Sequence, residues 1–91
     1  LDEWVGLGPD DAGSCSHGMN ADLYGPLGIR PNQLVAFDAK AADLAAECDR
    51  LNRYVADAGG LDLVLLGIGL NGHLALNEPG TPFTTYAHVS D

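Results

Sequence analysis

The chain has 91 residues, 46% hydrophobic and 19% charged, proportions that suit one globular domain and argue against disorder. Thirteen acidic residues against four basic ones give a net charge of -9, and Arg30, Lys40, Arg50 and Arg53 form no basic stripe, so nucleic acid and anionic membrane surfaces are excluded as partners. No apolar run reaches membrane-spanning length, no signal peptide is visible, and Cys15 and Cys48 make no disulfide framework, which is the cysteine usage of a cytoplasmic protein.

Taken in order, Leu1 to Trp4 reads as the end of a strand, followed by a Gly/Pro/Asp loop from Gly6 to Gly13. Ser14 is a fitting N-cap for a helix through about Tyr24, which Gly25-Pro26 should stop. Leu27 to Pro31 is a connector, and Leu34 to Phe37 has strand character. Leu44, Cys48, Leu51, Val55 and Ala58 recur at steps of four and three, one face of an amphipathic helix. Asp43, Glu47, Arg50 and Arg53 fall on the opposite face, and Gly59-Gly60 supplies a left-handed stop.

Leu61 to Leu66 is a nearly continuous apolar run, the pattern of a strand buried on both faces of a parallel sheet. The alternation of strands and helices predicts an α/β class: a Rossmann-like open, mainly parallel sheet with flanking helices. The chain starts at Leu1 and reads as an internal, central part (1–91) of one larger domain. A chain this short would be only marginally stable alone.

The run then delivers Gly67-Ile68-Gly69-Leu70-Asn71-Gly72-His73 and, beyond Leu74-Ala75-Leu76-Asn77, Glu78-Pro79-Gly80. Open α/β sheets bind ligands at the carboxyl ends of their strands, where this turn falls. Its glycines match G-x-G-x-x-G, but a dinucleotide site needs a helix to begin at once, and Pro79-Gly80 arrives seven residues past Gly72. Gly67 and Gly69 instead read as glycines that let the backbone approach a small ligand. His73 is of the residue type that can act as general acid or base, Glu78 is placed to orient it, and Asn71 is a further polar neighbour. Each also has a plain structural reading: a core histidine, a turn cap. Asp2-Glu3 is either solvated charge at a strand end or a carboxylate base at a neighbouring strand end. His17, His73 and His88 are too scattered for a metal site, and Ser14, Ser16 and Ser90 lack a nucleophile elbow.

Leu1-Asp2-Glu3-Trp4-Val5-Gly6-Leu7, Ala45-Ala46-Glu47-Cys48 and the Gly67–Gly80 segment, with Asn-Gly-His and Asn-Glu-Pro-Gly at its core, resemble the glucosamine-6-phosphate deaminase (glucosamine/galactosamine-6-phosphate isomerase) family. Trp4, Ser14-Cys15, Pro26-Leu27-Gly28 and Gly59-Gly60-Leu61-Asp62-Leu63 are similar to its galactosamine-6-phosphate branch. The resemblance implies conversion of an amino-sugar 6-phosphate and water into a ketose 6-phosphate and ammonia, with no cofactor and no metal. It implies Asp2 as the base that moves a proton between C2 and C1, His73 as the group that assists ring opening, and Glu78 as the residue holding His73. Asn71 stands where the best-known members carry aspartate; an amide can orient the imidazole but brings no charge to favour its protonated form.

Family members are more than twice as long as this chain. The phosphate-gripping loop would lie upstream of Leu1, so the 91 residues alone should be inactive or nearly so. A sugar phosphate is the expected partner, and a homo-oligomer of the full-length protein is allowed. Two other readings stand beside this one. A 6-phosphogluconolactonase would show Asp-Glu-Arg in place of Asp2-Glu3-Trp4 and Asp-Gly-His in place of Asn71-Gly72-His73. A non-catalytic sugar-phosphate-binding regulator of the same fold would account for Asn71.

Overall fold

A computed structural model describes residues 1–90; Asp91, the last residue of the expected segment, lies outside them. The chain divides into two compact units, Leu1–Ala42 and Asp43–Asp91.

In the first unit, α1 spans Cys15–Met19 and runs into a π-helical turn, Asn20–Tyr24, and a last short turn, α2, Gly25–Leu27. Ser14 is the N-cap of α1, its hydroxyl accepting from the His17 N–H at 3.2 Å. The helix does not stop at Gly25-Pro26 as its sequence predicts. The Gly25 N–H bonds Asn20 O, five residues back, and this wider turn lets Pro26 sit in the first turn of a new helical segment, where its missing N–H costs little. Gly25 is required there, because a Cβ would meet Asn20 O at 2.7 Å. Gly28, at φ 67°, ends the run. A 3₁₀ turn follows at Pro31–Gln33.

Glu3 holds this unit together. Its carboxylate accepts from Ser14 Oγ at 2.7 Å, from the Ser16 N–H at 3.0 Å, and from the N–H groups of Trp4 and Cys15 at 2.9 Å each. An anion at the start of α1 satisfies helix donors that have no partner inside the helix. The sequence allows Asp2-Glu3 together as a possible base; Glu3 is instead a clasp across eleven residues. Partial burial pushes its carboxyl up. The hydrogen bonds from Ser14, Ser16, Trp4 and Cys15 outweigh that and hold it at about 2, against an ordinary 4.5. Because the folded value lies below the unfolded one, this contribution to stability is complete above about 4.5 and is lost as pH falls toward 2. Acid titration of the full-length protein should therefore show a destabilising step between these values. Glu3→Gln should remove that step and lower stability at pH 7; an unchanged acid limb in the variant would contradict this role.

A second clasp joins the loop to the end of the unit. The Asp11 carboxylate accepts from the Gly8 N–H at 2.8 Å and pairs with Lys40 Nζ at 2.8 Å, while the Gly6 N–H bonds Ala39 O at 2.8 Å. The Lys40 ammonium and the Gly8 N–H hold the Asp11 carboxyl below its ordinary range.

In the second unit, α3 spans Leu44–Asp57 as the periodicity predicts. Asp43 caps it by accepting from the Ala46 N–H at 3.0 Å. Its end is a Schellman motif: the Gly60 N–H bonds Val55 O at 2.9 Å and the Gly59 N–H bonds Ala56 O at 3.0 Å, with both glycines at positive φ. Leu44, Cys48, Leu51 and Val55 are half-buried, as the expected apolar face requires, whereas Ala58 is exposed. Glu47, expected on the solvated face, is buried, its carboxylate gripped by the Arg50 guanidinium at 2.6 and 2.8 Å. Asn52 extends the helix's reach by accepting from the Ala87 N–H at 2.9 Å.

The expected parallel sheet does not form among the described residues. Leu1–Trp4, Leu34–Phe37 and Leu61–Leu66 carry no strand, and the only bridges are the isolated pairs Ile68–Leu74 and Leu74–Asn77. A strand exists only with a hydrogen-bonded neighbour about 4.8 Å away, and no described segment supplies one to these runs. The consequence is exposure: Leu63 and Leu65 are 89% and 92% exposed, and Ala39 is the one buried hydrophobic residue among the described residues. No described helix is long and apolar enough to cross a membrane.

Candidate active site

The second unit gathers three of the expected site residues in one turn. The Gly69 N–H bonds His73 O at 2.8 Å and the Gly72 N–H bonds Gly69 O at 3.0 Å, closing a tight loop. Gly72 sits at φ 89°, which glycine adopts without penalty. The chain then returns, the Ala75 N–H reaching Gly67 O at 3.0 Å and Leu74 and Asn77 exchanging both backbone bonds at 3.1 and 2.9 Å. This fold-back brings Asn71, His73 and Glu78 onto one side of the turn.

Ala75 takes the left-handed region to make the return, at φ 53°. A Cβ there costs about 1–2 kcal/mol, part of which glycine would give back through its freer unfolded chain. Ala75→Gly should raise stability by up to about 1 kcal/mol in denaturant titration of the full-length protein; a loss of stability would contradict the strain.

The hydrogen bonds fix the chemistry of the trio. Asn71 Nδ2 donates to Glu78 Oε2 at 2.8 Å. Asn71 Oδ1 accepts from the His73 backbone N–H at 3.1 Å and meets His73 Nδ1 at 2.8 Å. An amide oxygen only accepts, so Nδ1 carries the proton and Nε2 is left with a free lone pair. Glu78 does not hold the ring directly, as the resemblance implies. Its Oε1 stands 3.9 Å from Nδ1, and it acts by fixing which way the Asn71 amide faces. His73 is one-third exposed and Glu78 over half exposed, so the base is open to a ligand. Among the described residues no three His, Cys, Asp or Glu side chains come together as a metal-holding group.

The two glycines expected to admit a ligand differ. At Gly67 an added Cβ meets open space, so that position does not demand glycine here. At Gly69 the Cβ would land on the His73 ring.

Asp2 belongs to the first unit. It is half-buried, and among the described residues its carboxylate accepts no hydrogen bond. It lines an open groove of about 240 Å³ whose other polar walls are Ser16, Asn20 and Tyr24. Burial, with the charges of Asp2 and Glu3, pushes the Cys15 thiol on the same groove up, away from the reactive thiolate. A larger cleft, about 360 Å³ beside Lys40, contains none of the expected site residues.

The chain as a whole is similar to known proteins. The backbone superimposes with a TM-score of 0.85, over 93% of this chain and 35% of the other, on the structure of a monomeric glucosamine-6-phosphate deaminase, described as the missing link of the NagB superfamily; the two sequences are 41% identical. The chain thus follows the course of a segment of that structure. Glucosamine-6-phosphate deaminases of Bacillus velezensis and Shouchella clausii are 45% and 44% identical over 89 residues, 98% of this chain. Over nearly its whole length the chain is thus similar to glucosamine-6-phosphate deaminases. It spans little more than a third of the length of these relatives, 37% and 36%. No protein-family model matches it.

Proposed function

We propose that this chain carries the acid–base residues of an amino-sugar-6-phosphate deaminase/isomerase. The observation that carries the reading is the Glu78–Asn71–His73 array, which presents Nε2 of His73 as a free acceptor. In the reaction, His73 takes the proton of the anomeric hydroxyl and returns it to the ring oxygen, opening the sugar. Asp2 then removes the C2 proton and returns it to C1 through an enolamine, while the substrate's ammonium group gives up a proton and its C1 oxygen takes one. The resulting C2 imine adds water and loses ammonia, leaving the ketose 6-phosphate. Electrons are only redistributed within the substrate, so positioned acids and bases suffice.

The same proposal takes the sheet of the full-length protein to be open and mainly parallel, completed by strands that pair with Leu34–Phe37 and Leu61–Leu66. The superposition on the superfamily structure supports that reading of the fold. A free sugar phosphate as partner and a cytoplasmic location belong to the same proposal. Galactosamine 6-phosphate is the favoured epimer, on the residues Trp4, Ser14-Cys15 and Pro26-Leu27-Gly28.

The full-length protein should be offered galactosamine 6-phosphate, glucosamine 6-phosphate and 6-phosphogluconolactone in parallel. Ammonia release from an amino sugar is expected, and the faster epimer assigns the branch. Hydrolysis of the lactone with no ammonia from either sugar would overturn the proposal in favour of a lactonase.

A further inference from the structure

We propose that Gly69 is a positioning residue for His73: its bare Cα forms the floor on which the imidazole lies. Three observations meet at this point. A Cβ built on Gly69 collides with Cε1, Nε2 and Nδ1 of the His73 ring, so the ring occupies the space any other residue would need. Gly69 cannot move aside, because its N–H is spent on His73 O and its carbonyl on the Gly72 N–H. The ring cannot move aside without breaking the 2.8 Å contact of Nδ1 with Asn71 Oδ1. Nor does Gly69 adopt the positive φ seen at Gly72, so backbone conformation gives no separate reason for glycine at 69. Asn71 fixes the ring's edge and Gly69 its face, and together they fix the direction of the Nε2 lone pair.

This inference rests on the deaminase reading for its kinetic arm only. In the full-length protein, Gly69→Ala should lower kcat for ammonia release at least tenfold with KM nearly unchanged, since the added methyl displaces the base and not the substrate. By ¹⁵N-resolved NMR, the same variant should lose the single Nδ1–H tautomer of His73. Wild-type protein should show a nuclear Overhauser contact between a Gly69 Hα and His73 Hε1, which needs neither turnover nor a folded variant. Absence of that contact, or a Gly69→Ala protein with wild-type kcat and an unchanged His73 tautomer, would overturn the proposal. If the full-length wild type released no ammonia, the deaminase reading would fail while the spectroscopic arm still decided the role of Gly69.

Discussion

Replacing His73 with Gln in the full-length protein will lower kcat for ammonia release by roughly 10²- to 10⁴-fold, the range a positioned acid–base group contributes. Glutamine can keep a hydrogen bond to Asn71 Oδ1 through its own amide, so the turn should survive. What it lacks is a ring nitrogen whose lone pair can take and return a proton. The companion variant Asn71→Leu separates orientation from chemistry. It keeps the imidazole but removes the partner that orients it at 2.8 Å, and it takes away the amide that the Glu78 carboxylate engaged. Its loss should be smaller, roughly tenfold to a hundredfold, the equivalent of one or two hydrogen bonds. Equal activity of His73→Gln and wild type would remove the histidine from the reaction. A non-catalytic binder predicts a different pattern, with sugar-phosphate affinity retained and no turnover in the wild type to lose.

The isolated 91-residue chain will neither turn over an amino-sugar phosphate nor melt cooperatively. Burial of apolar surface drives folding at about 25 cal/mol per Å², yet here the long apolar run after α3 is open to solvent and Ala39 is the single buried hydrophobic residue described. The hydrogen-bonded clasps of Glu3 and Asp11 order a loop but bury little, and the entropy of ordering the chain is left without its usual opposing term. Heating the isolated chain should give a broad, non-cooperative change in circular dichroism, and an apolar dye should bind it before heating. A sharp transition, or measurable ammonia release by this chain alone, would contradict the account.

What was legible in the sequence is what depends on neighbours along the chain. Leu44, Cys48, Leu51 and Val55 specify α3 by spacing alone, and Gly59-Gly60 specifies its end, because both act within one or two turns. Ser14 as an N-cap is local in the same sense. Asn71, His73 and Glu78 span eight residues, and the turn that unites them is written in its glycines. What was hidden depends on distant partners. Glu3 meets Ser14 across eleven positions, so its capping role could not be separated from that of a catalytic carboxylate. Glu47 has the spacing of a solvated face and is instead buried, paired with an exposed Arg50.

The sheet is the largest case. Leu61–Leu66 has the composition of a central strand, but pairing is a property of two segments, and no described segment pairs with it. The order of contacts inside the trio was also hidden. Glu78 is the nearest charge to His73 in sequence terms, and only the geometry shows that the Asn71 amide stands between them. The contact of Gly69 with the ring could have been suspected from two glycines flanking a histidine turn, but not assigned to one of them.

Asp2 and His73 are proposed to serve one reaction in the full-length protein. The most direct test is the ammonia assay on full-length Asp2→Asn beside wild type, with galactosamine 6-phosphate and glucosamine 6-phosphate as substrates. The account predicts turnover by the wild type and its loss in the variant, with the sugar phosphate still bound. Wild-type turnover in Asp2→Asn would contradict it.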